Sequence, residues 1–588
     1  MRRFYNFFLK LTLLSLLIGY FTTAGFAATY YVSNTGNDAN SGLSSSLPWK
    51  SISKVNSMSF MAGDQILFQR GNSFYGTLIN NSGGTAGSPI TYGAYGTGEK
   101  PIITGFTVIT GWTNEGGGIY SKVITSESPT NMVTVDGVNT AMGRYPNSSY
   151  LIYESCNGSN SITDNELGTT TNWTGAEAVI RKNDWTLDRC LITNHSGGTL
   201  TYSNKGTSQN ATANFGYFIQ NDLRTLDQLG EWYHNTSTGK FYMYFGSIDP
   251  NTKTVKVATL KNVIYNMNSN GNYITLDNLS ITGSISNAIT LPEWYTQFNT
   301  IQNCDVSFSG AVAIYSQAAN TSVSGNVISD CANMGVYINR DNTKISNNRM
   351  FNIGMVEGQS LTGANNAIHL GNADNSVTEY NVLENIGYDG IFVTHGTNIK
   401  VKNNFINNVC MILNDGGGIY TGDPSTNFII DGNIILNSVG NAKGRNGNSL
   451  LAEGIYLDEY AGGITVKNNT TVNCSNAGIK LHKGSNNIIR NNVSYNNAKG
   501  IDFFNSLSNW SMSGNYMAKN IFFAKTSIQQ ALNFTTMAQD GCKFGVADSN
   551  YYVRPIKDDT SIQTYEPNNN TFLRTLSSWQ SYSSQDAH

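Results

Sequence analysis

Gly390-Ile391-Phe392-Val393, Gly418-Ile419-Tyr420-Thr421, Gly454-Ile455-Tyr456-Leu457 and Gly478-Ile479-Lys480-Leu481 are variants of one phrase. Each sets two apolar residues around one variable residue, the in–out–in period of a β-strand. The phrase recurs upstream as Ala288-Ile289-Thr290-Leu291, Gly335-Val336-Tyr337-Ile338 and Ala367-Ile368-His369-Leu370. A second landmark is an Asn at Asn278, Asn303, Asn326, Asn348, Asn381, Asn404, Asn433, Asn469 and Asn492, at intervals of 25, 23, 22, 33, 23, 29, 36 and 23 residues. A base period near 23 with occasional insertions is the mark of a solenoid. Such a coil holds about three short strands, and coils stack at ~4.8 Å. Inward Ile and Val then form apolar columns, and the Asn column is expected to form an amide ladder. The fold expected is all-β: a right-handed parallel β-helix with an inserted β-sandwich-like domain. A leucine-rich repeat is rejected, since the unit has neither a Leu-rich consensus nor a helical phase.

The rest of the chain divides around these coils. Arg2, Arg3 and Lys10, the apolar stretch Leu11–Phe21 and the small residues near Ala27 read as a signal peptide over 1–27. Residues 28–108 hold short strand-like runs, expected as the first coils and their cap. Residues 109–262 lose the repeat and carry alternating runs such as Phe241-Tyr242-Met243-Tyr244-Phe245, expected as the inserted domain. Residues 263–525 are the main coils and 526–588 a C-terminal cap or tail.

Composition narrows the partners. Over 588 residues only 13% are charged and the formal net charge is −3, so there is no nucleic-acid footprint. With the signal removed, no membrane partner is expected, and the reading is of a secreted monomer, extracellular or periplasmic. The 7 cysteines are odd in number and form no CxxC pair, which argues against both a disulfide framework and a thiolate metal site. Cys304, Cys331 and Cys410 read as small fillers of a stacked interior.

Aligned coils turn sequence positions into columns. The outward residue of the phrase runs Tyr337, His369, Phe392, Tyr420, Tyr456, Lys480, Asp502. Flanking columns add His395, Asp458, Glu459, His482 and Lys483. The long intervals place insertions at 354–365, about 411–417 and 440–452, all just before the phrase, where they wall one edge of the strip. Long glycans lie in such grooves and stack on aromatic faces. Tyr420, Tyr456, His369, Phe392, His395, Lys480, His482 and Asp389 are the candidate substrate-binding residues. Glycoside hydrolysis needs one protonated and one ionised carboxyl at the scissile bond. Asp415 with Asp458 is the pair chosen, with Glu453 and Glu459 as near alternatives; an Asp before Gly-Gly-Gly is also a common turn residue.

Asn414-Asp415-Gly416-Gly417-Gly418-Ile419-Tyr420, followed by Glu453-Gly454-Ile455-Tyr456-Leu457-Asp458, resembles the parallel β-helix glycoside hydrolases of families 120 and 141, within the secreted pectin-lyase-like proteins. So do Val135-Asp136-Gly137, Ala141-Met142-Gly143-Arg144-Tyr145-Pro146-Asn147 and Gly230-Glu231-Trp232-Tyr233. The resemblance implies two catalytic acids on successive coils, which fall on Asp415 and Asp458. The function expected is a secreted glycoside hydrolase acting on a polysaccharide or oligosaccharide, with no cofactor and no metal. One alternative is a polysaccharide lyase using Lys480, His482, Lys483 or Arg445 with a possible Ca²⁺. Another is a glycan-binding surface protein without catalysis.

Overall fold

The computed structural model describes residues 27–588 except 169, 267–270, 423–424, 539 and 568–569. The proposed signal peptide lies outside the described residues apart from Ala27. Among the described residues no helix is long and apolar enough to cross a membrane.

Among these residues, three long sheets of 14, 13 and 14 strands run the length of the molecule, parallel throughout except for Asn570–Arg574, which closes the third as an antiparallel strand. Each coil contributes one short strand to each: Ile274–Asp277 to sheet I, Ser280–Ser284 to sheet II and Ile289–Leu291 to sheet III. The repeated phrase is the sheet III strand. Its first apolar position stacks as Ile289, Ile314, Val336, Ile368, Ile391, Ile419, Ile455, Ile479 and Ile501 in unbroken register. All nine are fully buried. Burying each such side chain contributes about 1.5–3 kcal/mol, so this column alone outweighs any single polar contact.

The turn from sheet I to sheet II has two residues. The first takes a left-handed backbone, as at Asn347, Asn403, Asn468 and Asn491 with φ of 55–57°. Asn tolerates that conformation better than other non-glycine residues. The second faces inward and forms the ladder. Asn326 Nδ2 donates to Asn348 Oδ1 at 2.9 Å, and the pattern repeats through Asn381, Asn404, Asn433, Asn469, Asn492, Asn520 and Asn550. Each acceptor oxygen also takes the backbone N–H of the preceding coil's Asn, as Asn433 Oδ1 does from Asn404. Two of the expected members are corrected here. Asn278 and Asn303 occupy the left-handed position, and the ladder column at those coils is Leu279 and Cys304. The ladder also continues past the point where the sequence repeat fades. Asp586 ends it by accepting from Asn550 Nδ2 at 2.8 Å, while also accepting from Tyr552 and the buried Trp579 of helix Leu576–Ser583.

The insertion leaves the helix without disturbing its register. Ile90–Tyr95 pairs with Ile274–Asp277, and Ile102–Thr104 with Ser280–Ser284, although some 180 residues separate them. The exit strand Phe106–Val108 and the return strand Val255–Ala258 pair antiparallel. They belong to one of two small sheets that pack around Trp232, Phe241, Met243, Val255 and Val257, and a larger antiparallel sheet has its own core around Tyr153, Trp173, Ile180 and Tyr217. The insertions at 354–365 and 440–452 hold this domain in place. Gln220 Nε2 donates to Gly358 O at 2.8 Å, and Arg181 donates to Lys443 O and Asn441 O at 2.6 and 2.8 Å. Arg144 pairs with Glu357 at 2.9 Å while lying 3.5 Å over the Phe218 ring. All seven cysteines are free thiols, and Cys304, Cys331 and Cys410 are buried fillers as expected.

Asn404→Leu is expected to cost about 3 kcal/mol, because it strands the buried donors of Asn381 and the carbonyl of Thr378. Urea unfolding of the variant against wild type measures this; a change below 1 kcal/mol on the order of experimental scatter would show the ladder to be dispensable.

Candidate active site

The outward column of sheet III pairs as the sequence spacing predicts: Tyr337 with His369, then Phe392, Tyr420, Tyr456, Lys480 and Asp502. The acids gather where strands Gly416–Thr421, Ala452–Leu457 and Ala477–His482 lie side by side. Asp415 stands at the head of the first, with φ of 57°. Three glycines follow because the backbone runs too close to its neighbours for side chains. A Cβ at Gly416 would lie 2.4 Å from the Tyr388 ring and 2.5 Å from Asp389 Oδ1, and one at Gly418 2.4 Å from Ile435.

Lys480 ties one group of acids together. Its Nζ lies 3.1 Å from Glu453 Oε1, 3.9 Å from Asp415 Oδ1 and 4.2 Å from the centre of the Tyr456 ring. Burial alone would favour the neutral amine, but Glu453 and Asp415 outweigh it and raise its pKa. Glu453 is fully buried; burial pushes its pKa up to about 7 against the pull of Lys480. Its Oε1 also accepts from Asn476 Nδ2 at 2.7 Å, and its Oε2 has no hydrogen-bond partner among the described residues. Asp415 keeps a quarter of its side chain exposed, at 25%. Burial raises its pKa, Asp458 and Asp184 add to the rise, and Lys480 opposes it.

Asp458 sits in an opposite environment. Its Oδ1 lies 2.6 Å from His482 Nδ1 and accepts from Glu459 N at 2.8 Å, while Oδ2 accepts from Tyr420 Oη at 2.9 Å. Burial would raise its pKa, but His482 and these hydrogen bonds prevail and hold it below the ordinary carboxylate value. Tyr420 and Tyr456, with ring centres 5.2 Å apart, join the two groups.

The other candidates fall at graded distances. Asp389, expected at the substrate, is fully buried beneath Gly417, whose N–H it accepts at 2.8 Å; it holds that backbone and cannot reach a sugar. Tyr456 is covered by Lys480 and is only 2% exposed, which leaves Tyr420 as the more open ring. Glu459 points outward and pairs with Lys483 at 2.8 Å. Phe392 and His369 stand one and two coils upstream of Tyr420, and burial lowers the His369 pKa to about 4. His395 belongs to a separate cleft at the strand ends, with Arg340, Asn372 and Asp374. Sequence reasoning missed Asp184, Tyr388 and Asn476. Asn476 directly precedes the strand Ala477–His482, one position ahead of the column that holds Asp389 and Glu453; Asp184 comes from the inserted domain, its carbonyl accepting from Asn414 N at 3.0 Å, and nothing local marks it. Asp458, Glu459 and His482 offer ligand atoms within 4.8 Å of one another, as do Glu154, Asp164 and Glu166. A cation at the first trio would have to displace the His482–Asp458 contact and compete with Lys483.

A family model described as right handed beta helix region matches residues 262–435 and 335–530. These coils are a right-handed β-helix. Among solved structures, one titled "Glycoside hydrolase" covers 84% of this chain and 96% of its own, with a TM-score of 0.61 and 14% identity. The complex structure of XylC with xylose covers 85% of this chain and 76% of its own, with a TM-score of 0.52 and 14% identity. These likenesses show a common fold. Among curated proteins, lacto-N-biosidase of Bifidobacterium longum subsp. longum is 42% identical over 89 residues, 14% of this chain and 6% of that protein. The chain therefore matches only a small part of that relative's length.

Among the described residues Asp389 has no cationic partner, and its raised pKa means that stability is fully present below the unfolded carboxylate pKa of ~3.9 and is lost as pH rises through the folded value. Asp389→Asn is therefore expected to match wild type near pH ~4 and to melt a few degrees higher at neutral pH and above. Thermal unfolding across that range tests the sign; a variant less stable at every pH would refute it.

Proposed function

We propose that this protein is a glycoside hydrolase acting on a polysaccharide or oligosaccharide, with Asp415 and Asp458 as its two working carboxyls. The observation that carries the reading is their opposite electrostatics on neighbouring coils. Asp415 is pushed toward its protonated form and Asp458 is held ionised, which is the division of labour that glycosidic cleavage requires. Both keep part of the side chain exposed, at 25% and 12%, while Glu453 is closed off. Asp415 donates its proton to the glycosidic oxygen as the bond to the anomeric carbon breaks. Asp458 faces the positive charge that develops on the sugar, and water completes the exchange. Tyr420 orients Asp458 and offers its ring to the sugar face. Glu453 and Lys480 position Asp415 from behind.

The names of the similar proteins support the same class: one is titled a glycoside hydrolase, one binds xylose, and one is a lacto-N-biosidase. The lyase reading requires a neutral amine or imidazole as base. Lys480 does not suit that role, since two carboxylates keep it charged. We also propose that the chain is exported, on the strength of its N-terminal charge and apolar stretch.

Purified protein incubated with plant and algal polysaccharides is expected to release reducing ends without the absorbance of an unsaturated uronate. Asp458→Asn and Asp415→Asn should each lower kcat about 10²–10⁴-fold. Rising absorbance, or full turnover in either variant, would reject the assignment. The pH–rate profile should fall on the acid side as Asp458 takes a proton and on the alkaline side as Asp415 loses one. Lys480→Met removes the charge that opposes the rise at Asp415, so the alkaline limb should move to higher pH.

A further inference from the structure

A second cleft opens where the coils, the small sheets and the larger sheet of the insertion meet. Its volume is ≈ 750 Å³. That lies within the ~300–1,000 Å³ of small-ligand sites, which favour domain junctions. The larger sheet gives the cleft a charged wall. Lys205 and Arg189 lie 3.1 and 2.8 Å from the two oxygens of buried Glu177, and Gln220 Nε2 donates to the same carboxylate at 3.2 Å. Burial would raise the Glu177 pKa, but the two cations prevail and hold it at about 2. Two cations against one carboxylate leave one net positive charge, and no other acid among the described residues lines the cleft. The hydrogens of these cations are not spent. Arg189 Nη1 donates to Asn131 Oδ1 at 2.7 Å, whereas Nη2 meets only the Met142 sulfur at 3.9 Å, and Glu177 is the one partner of Lys205 among the described residues. The facing walls add a donor and an acceptor. Thr130 N donates to His234 Nδ1 at 3.2 Å, and burial keeps that ring neutral, so its hydrogen sits on Nε2. Asn333 Oδ1 is buried with no hydrogen-bond partner among the described residues, which costs about 1–3 kcal/mol while it stays unpaired.

We infer that this cleft is a second binding site, which takes a carboxylate-bearing sugar ring: a uronate unit of an acidic glycan. The carboxylate meets Lys205 and the unspent side of Arg189. Ring hydroxyls donate to Asn333 Oδ1 and accept from His234 Nε2, and Ile285, Ala311 and Leu361 face the apolar C–H surface of the ring. The site is separate from the Asp415–Asp458 pair and stands whether or not that pair is catalytic. Strand Glu177–Arg181 spans the distance between the two. Its first residue serves the cleft, and its last, ~13 Å further on, holds the loop 440–452 whose Leu451 carbonyl accepts from Asp415 N. Val179, midway, packs with Phe218, Ile412 and Leu413 into an apolar wall between the two places.

The test measures binding to the purified protein by ligand-observed NMR. Methyl glucuronide and methyl galacturonide are the probes, the matching neutral glucoside and galactoside the controls, and gluconate an open-chain acid. The uronides are expected to bind at least about tenfold tighter than the neutral pair, the worth of one charge-assisted contact. Lys205→Met should remove that margin and Lys205→Arg should keep it. The Lys205 side chain is 41% exposed, so its loss leaves the fold intact. Asn333→Leu should weaken both uronides severalfold, and Asp415→Asn and Asp458→Asn should bind them as wild type does. Equal affinity for acidic and neutral rings, or affinity that ignores both Lys205→Met and Asn333→Leu, overturns the inference. Binding lost in Asp415→Asn or Asp458→Asn also overturns it, because the ligand then sits at the proposed active site. Gluconate held as tightly as the uronides would mark a site for small hydroxy acids and overturn the sugar assignment. No binding of either uronide rejects the site outright, and the catalytic pair is untouched by that result.

Discussion

A coil that closes on itself must place the same residue at the same height above its predecessor, and in this molecule the ladder from Asn326 to Asp586 enforces that requirement. Each side chain is spent completely: oxygen on one coil, amide hydrogens on the next, with a strand-end carbonyl taking the remaining hydrogen, as Thr378 does from Asn404. A coil that slipped by one residue would leave those groups buried and unpaired, at about 1–3 kcal/mol each. The Ile column tolerates small errors of shape; the amides do not. Everything at the candidate site follows from this, because the acids are neighbours only while their coils stay in register.

Where register delivers the acids, packing differentiates them. Asp415 and Glu453 share one lysine in a buried corner, and Asp458 is surrounded by donors. The same backbone that stacks the coils thus creates two electrostatic environments within two successive strands. Asp389 extends the buried set one coil further and anchors the glycine run from below. Buried carboxyls of this kind destabilise the folded chain at neutral pH, which the fully buried Ile column offsets.

The parts of this arrangement that repeat were legible in the sequence. In–out–in spacing identified the sheet III strand, and alignment of the phrase placed Tyr337 through Asp502 in one column, as found. Asn was harder to read, because it serves two adjacent positions for different reasons: a left-handed turn at Asn303 and a ladder amide at Asn326. Burial was not legible at all for Glu453 and Asp389. It depends on Tyr388 and the glycine backbone packing around them, and on a domain inserted more than 150 residues upstream that brings Asp184 to Asn414. Periodicity reports what stacks; it carries no information about what a distant segment covers.

The paired strands at which the insertion departs and returns bear on how the chain is made. Ile90–Tyr95 and Ile102–Thr104 present open hydrogen-bonding edges until Ile274–Asp277 and Ser280–Ser284 dock on them. During N-to-C synthesis that wait lasts for the whole inserted domain, roughly ten to thirty seconds at ~5–20 residues per second. Throughout it the first coils are an unfinished solenoid with a naked edge, the form most prone to pairing with the wrong strand. An inserted domain that folds by itself around its own cores would shorten the effective gap, since its two ends emerge already hydrogen-bonded to each other.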